Sequence, residues 1–66
     1  MKVQLLDAAR KHAEGVLALH TANVQVYLNN PAGIGEHSDV MEAIQAELDK
    51  MSAAYDQIEM LNKYFK

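Results

Sequence analysis

The stretch from Asn29 to Asp39, reading NNPAGIGEHSD, holds the only proline of this 66-residue chain and two of its three glycines, and it is the one segment that cannot continue a helix. Asn30 precedes Pro31 and is pushed out of the α region by the ring. Pro31 has no backbone N–H to donate, and Gly33 and Gly35 open conformations that side chains close to other residues. On either side nothing stops a helix, so the chain reads as two helices joined by a tight turn. Helices joined this closely lie antiparallel. Asn29 is expected to take the left-handed cap of the first helix, and Ile34 to tuck down over the end of the core. Asp39 followed by Glu42 has the form of a capping box for the second helix, with Ser38 and His37 as competing caps if it starts earlier.

From Lys2 to about Asn29, Leu6, Ala9, Ala13, Val16, Leu17, Val24, Tyr27 and Leu28 fall on one side at about 100° per residue, with Asp7, Lys11, Glu14, Ala18 and Gln25 opposite. At ~1.5 Å per residue this helix is about 40 Å long. A second stripe, Ala8, His12, Gly15, Leu19, Ala22 and Val26, alternates steps of four and three residues and is read as set about 100° round from the first. One neighbour needs one seam, so a second seam implies a second neighbour. Gly15 costs about 1 kcal/mol relative to alanine inside a helix. In this stripe it admits the close approach of another backbone; the plainer reading is a solvent-facing glycine.

The second helix runs from about 39 to 64, and its expected seam is Met41, Ile44, Leu48, Met51, Tyr55, Ile58, Asn62 and Phe65, widened by Val40, Ala54 and Leu61. Glu42, Gln45, Asp49, Ser52, Asp56 and Lys63 lie opposite. Residues 1 to 28 carry Lys2, Arg10 and Lys11 against Asp7 and Glu14, whereas residues 36 to 66 carry seven acids against three lysines. Antiparallel pairing is expected to bring Lys2, Arg10 and Lys11 alongside Asp56 and Glu59, a match that selects alignment more than it adds stability.

Composition narrows the function classes. Without cysteine there is no disulfide and no thiolate metal site, so a chain this short needs close packing or association to offset the entropy of folding. A net charge of −3 with no basic run beyond Arg10-Lys11 disfavours nucleic acid as a partner. The longest apolar run, Val16 to Leu19, is far short of the ~20 residues that span a bilayer. The opening MKVQLLDAARKH breaks into charge too early for a secretory signal, so the expectation is a soluble cytoplasmic protein with no membrane partner.

Chemistry-bearing residues are few. His20 falls mid-way along the core face with no Ser, Cys or paired acid one turn away, which favours a hydrogen-bonded core histidine, or an interface residue that pairs with a partner, over a catalytic base. Glu36, His37 and Asp39 beside Gly33 and Gly35 stand before a helix N-terminus, where free N–H groups hold anions. The neighbouring acids repel a phosphate, and turn formation and capping account for the group. Glu42, Glu47, Asp49, Asp56 and Glu59 are read as a solvated acidic face rather than metal ligands or the inward-facing acids of an all-α nucleotide pyrophosphohydrolase. No cofactor is expected. Met60, with Tyr64 and Ala53 on an otherwise polar face, marks a contact patch.

The segment NNPAGIGEHSDVMEAIQAELDKM and the ending IEMLNKYF resemble small uncharacterised helical proteins of marine tailed phages of the cyanophage type. The likeness covers most of the chain, with PAGIGEHSD its most distinctive part. It implies a phage-encoded protein acting in a bacterial host cytoplasm and carries over no catalytic residues.

The expected fold is all-α, one domain, an antiparallel two-helix hairpin that dimerises into a four-helix bundle. Ala8, His12, Gly15, Leu19, Ala22 and Val26, with His20, are the interface candidates, and Gly33, Gly35, Glu36, His37 and Asp39 the turn candidates. The expected function is a non-enzymatic, self-associating interaction or structural accessory protein whose partner is itself. The alternative is a small regulator that docks on a larger phage or host protein through the turn or the C-terminal part of the second helix.

Overall fold

In the computed structural model, residues 2–29 and 37–66 are described, with the backbone alone at Lys2, His37 and Ser38. Two helices, α1 (Lys2–Asn29) and α2 (His37–Tyr64), each of 28 residues, pack against each other along their lengths. Arg10 Nε donates to Asn62 Oδ1 at 3.2 Å, and Asn23 Nδ2 donates to Glu47 Oε1 at 3.1 Å, so early residues of α1 meet late residues of α2. The pair is therefore antiparallel. It is a rod of 49 × 14 × 12 Å whose radius of gyration, 15.1 Å, exceeds the roughly 11 Å of a compact chain of this length.

Burial identifies the seam. In α1 the sheltered positions Leu6, Arg10, Ala13, Leu17, His20, Val24 and Tyr27 alternate steps of four and three, and in α2 Val40, Ile44, Glu47, Met51, Ala54, Ile58 and Leu61 do the same. Each is a strict coiled-coil heptad. Only Ala13, at 0% exposure, and Ala54, at 2%, are fully buried among the described residues. Each lies one heptad from the polar pair His20 and Glu47, towards the open end of the hairpin, where a methyl group lets the backbones close in. The last turn of α2 is tied by Phe65 N–H donating to Leu61 O at 3.0 Å.

The seam of α2 differs from the sequence expectation. Ile44, Met51 and Ile58 are shared, but Met41, Leu48 and Tyr55 are exposed and Val40, Glu47, Ala54 and Leu61 take the inner column. Glu47 is the reason, because a carboxylate in that column made its apolar neighbours look like the edge of the stripe. In α1, Ala9 and Leu28 also turn out to be exposed. Asn29 is the last helical residue and has no left-handed φ. Asp39 lies within the first turn of α2 rather than capping it, where its charge still faces the positive end of the helix dipole. The expected turn, with Gly33, Gly35, Glu36 and Ile34, and the side chain of His37, lie outside the described residues.

The expected pairing of Arg10 and Lys11 with Asp56 and Glu59 is not found among the described residues. Lys11 Nζ instead pairs with Asp7 at 3.1 Å along its own helix, and Arg10 takes the neutral Asn62. Asp56 shares a heptad column with Glu42, Asp49 and Lys63 on the outer side of α2.

Candidate functional site: a polar layer and an uncovered helix face

At the fifth of the seven seam positions of α1 and the third of the seven of α2, where a heptad ordinarily places two apolar side chains, His20 and Glu47 meet. His20 Nδ1 is hydrogen-bonded to Glu47 Oε1, and the two side chains are 14% and 15% exposed. An ionised carboxylate only accepts, so Nδ1 carries the proton and the ring is held in that orientation. Asn23, one turn on from His20, donates to the same oxygen. The hydrogen bonds from His20 and then Asn23, with the nearby charges of His20 and Lys50, hold the Glu47 carboxyl below its ordinary value of 4.5 against the opposing effect of partial desolvation. Thr21 beside them returns its hydroxyl to Leu17 O at 2.7 Å, which satisfies it without a partner on α2.

Glu47 was expected on the solvated acidic face, and the structure corrects this: Glu42, Asp49, Asp56 and Glu59 face solvent, but Glu47 does not. Sequence reasoning found His20 and missed Glu47 and Asn23. A signal was present, since His20 and Glu47 each interrupt a mostly apolar heptad, with Arg10 the other polar member in α1, but only their opposition across the seam joins the two into one layer. No group of three or more His, Cys, Asp or Glu that could hold a metal ion occurs among the described residues. Both bonds of the layer end on Glu47 Oε1, and no buried side-chain nitrogen or oxygen among the described residues is left without a partner.

The second stripe of α1 is brought together on one surface. Ala8, His12, Gly15, Leu19, Ala22 and Val26 are all exposed, with Leu19 at 57% and Val26 at 62%. At 100° per residue the stripe lies about 150° round from the observed seam, so it faces away from α2. Three adjacent columns share this side: Ala8, Gly15 and Ala22; Leu5, His12, Leu19 and Val26; and Ala9, Val16 and Asn23. Between Val3 and Asn29 none of these columns contains Asp, Glu, Lys or Arg. A β-carbon placed on Gly15 would meet nothing within 4 Å. The matching outer column of α2 reads Glu42, Asp49, Asp56 and Lys63, so one helix presents a charged back and the other a greasy one.

Two smaller apolar features accompany this face. Met41, Leu48 and Tyr55 form an exposed ridge on α2, on the flank of the seam opposite to Asn23. Ala9, Gln57, Met60 and Leu61 line a shallow groove on the other flank. His20, counted among the interface candidates, sits in the hairpin's own seam, and Asp39 is exposed at the start of α2. No helix among the described residues is long and apolar enough to cross a membrane. No protein-family model matches the chain, and neither curated proteins nor solved structures give a match.

Proposed function

We propose that this protein is a non-enzymatic, self-associating interaction or structural accessory protein, in which two hairpins join as a four-helix bundle. The observation that supports this is surface left uncovered. The isolated chain exposes 5216 Å² at a mass of 7.3 kDa, whereas a compact monomer of that mass exposes about 4200 Å². The excess of about 1000 Å² is comparable with the ~800 Å² that each partner contributes to a stable interface. Much of it is apolar, since Leu5, Leu19, Val26, Met41, Leu48 and Tyr55 are all exposed. Burial at roughly 25 cal/mol per Å² makes covering such surface favourable.

The resemblance to small helical proteins of marine tailed phages supports a phage-encoded accessory acting in the bacterial cytoplasm. Sedimentation equilibrium at low micromolar concentration tests self-association. A dimer or larger assembly is expected, and a cooperatively folded monomer overturns the reading. Exposure of Met60 and Tyr64 beside the groove near Ala9 favours a second reading, a regulator that docks on a larger phage or host protein through this part of α2. In that case replacing both residues with serine leaves the sedimentation profile unchanged and abolishes capture of that protein.

A further inference from the structure

We infer that the second copy docks on the outer face of α1, and that the two α1 helices cross antiparallel about a two-fold axis at Gly15. This rests on the self-association proposed above and names the surface and symmetry that carry it. Three apolar surfaces compete for the role, and charge separates them. The Met41-Leu48-Tyr55 ridge is bordered by Asp7 and Glu14 of α1, which lie on the same flank of the seam, and by Glu59 of α2. The groove beside Met60 is short and has Asp56 in its wall. The α1 face runs about 100° around the helix and from Leu5 to Val26 with no acid or base other than His12. An interface core is depleted in charge, and only this face meets that condition over the length of a helix.

The face is also patterned for a two-fold contact. An isologous interface pairs residue i with j and j with i. About an axis at Gly15, Ala8 comes opposite the other copy's Ala22, and Leu5 and His12 come opposite its Val26 and Leu19. Large residues meet across the ends and the smallest residue meets itself at the centre. The open space at the Gly15 β-carbon position is room for the other backbone. Antiparallel crossing also opposes the two helix dipoles. The α1 pair then forms the middle of the four-helix assembly, and each α2 keeps its column of Glu42, Asp49 and Asp56 in water.

The chain has no cysteine, so single introduced cysteines report this geometry without background. Three variants are made, Ala8→Cys, Gly15→Cys and Ala22→Cys, and treated with a short bis-maleimide after their sedimentation is checked. In an antiparallel pair centred on Gly15 the two copies of residue 8 stand about 21 Å apart at ~1.5 Å per residue, beyond the reagent's reach. Gly15→Cys is therefore expected to cross-link alone, Ala8→Cys alone to stay monomeric on a denaturing gel, and an equimolar mixture of Ala8→Cys with Ala22→Cys to give the dimer band. Cross-linking of Ala8→Cys alone makes the pair parallel and overturns the symmetry. In parallel, Leu19→Glu is expected to weaken association at least a hundredfold, with Leu48→Glu within threefold of the native chain. The reverse pattern in a chain that still dimerises overturns the face but not self-association. A native chain that sediments as a monomer overturns the underlying reading itself.

Discussion

Glu47 and His20 decide more about this molecule than any apolar residue. Leaving either without the other strands a sheltered polar group, whereas together with Asn23 they form a layer with one geometry. Because the Glu47 carboxyl is held below its ordinary value of 4.5, the folded state favours its ionised form. Its contribution to stability is full above that ordinary value and is lost as pH falls through the depressed one. Urea unfolding followed from pH 6 to pH 3 is expected to show the native chain losing stability below about 4.5, with Glu47→Gln much flatter over the same range. An equally steep loss in Glu47→Gln would assign the acid sensitivity to other carboxylates. His20 was legible in the sequence as a hydrogen-bonded core residue. Glu47 was not, since nothing within four residues of it is its partner.

At the level of the helix, two 28-residue helices face each other along heptad stripes, interrupted in α1 at Arg10 and His20 and in α2 at Glu47. An apolar seam of this length slides easily, because any shift by seven residues again sets apolar against apolar. A polar layer removes that freedom, because a slip by one heptad leaves both His20 and Glu47 against hydrocarbon. The double variant His20→Leu with Glu47→Leu is expected to be at least as stable as the native chain, because apolar contact replaces two sheltered polar groups. It is also expected to lose its single alignment, visible as broadened or doubled amide resonances. A double variant that keeps one sharp set of resonances would mean that the turn alone sets the register. The stripe expected for α2 was half right for the same reason: Ile44, Met51 and Ile58 belong to both candidate columns, and only contact with His20 chooses between Leu48 and Glu47 for the remainder.

The whole molecule is a thin rod with almost no interior. Among the described residues just two alanines are fully buried, so the hairpin draws little from its own core, and on the proposed self-association its stability depends on the second copy that covers the outer face of α1. The thermal midpoint is therefore expected to rise with protein concentration, as for any fold stabilised by association with itself. A midpoint independent of concentration over a hundredfold range would show that the hairpin stands alone. The charge asymmetry of the two helices matters at this scale too. It gives α2 a charged outer column and α1 an apolar outer face.

The order of the two helices and the site of the break between them follow from the amino-acid sequence alone. Proline, glycine and periodicity act on their near neighbours, and those effects can be read along the chain. The outer stripe of Ala8, Gly15, Leu19 and Val26 was legible in the same way, since its spacing is local. Which column of α2 turns inward, and that a glutamate belongs there, was decided by the tertiary structure, because the group that makes Glu47 tolerable lies 27 residues away on the other helix. A polar residue reads as surface until its partner is placed beside it, and that placement is a property of the packed pair.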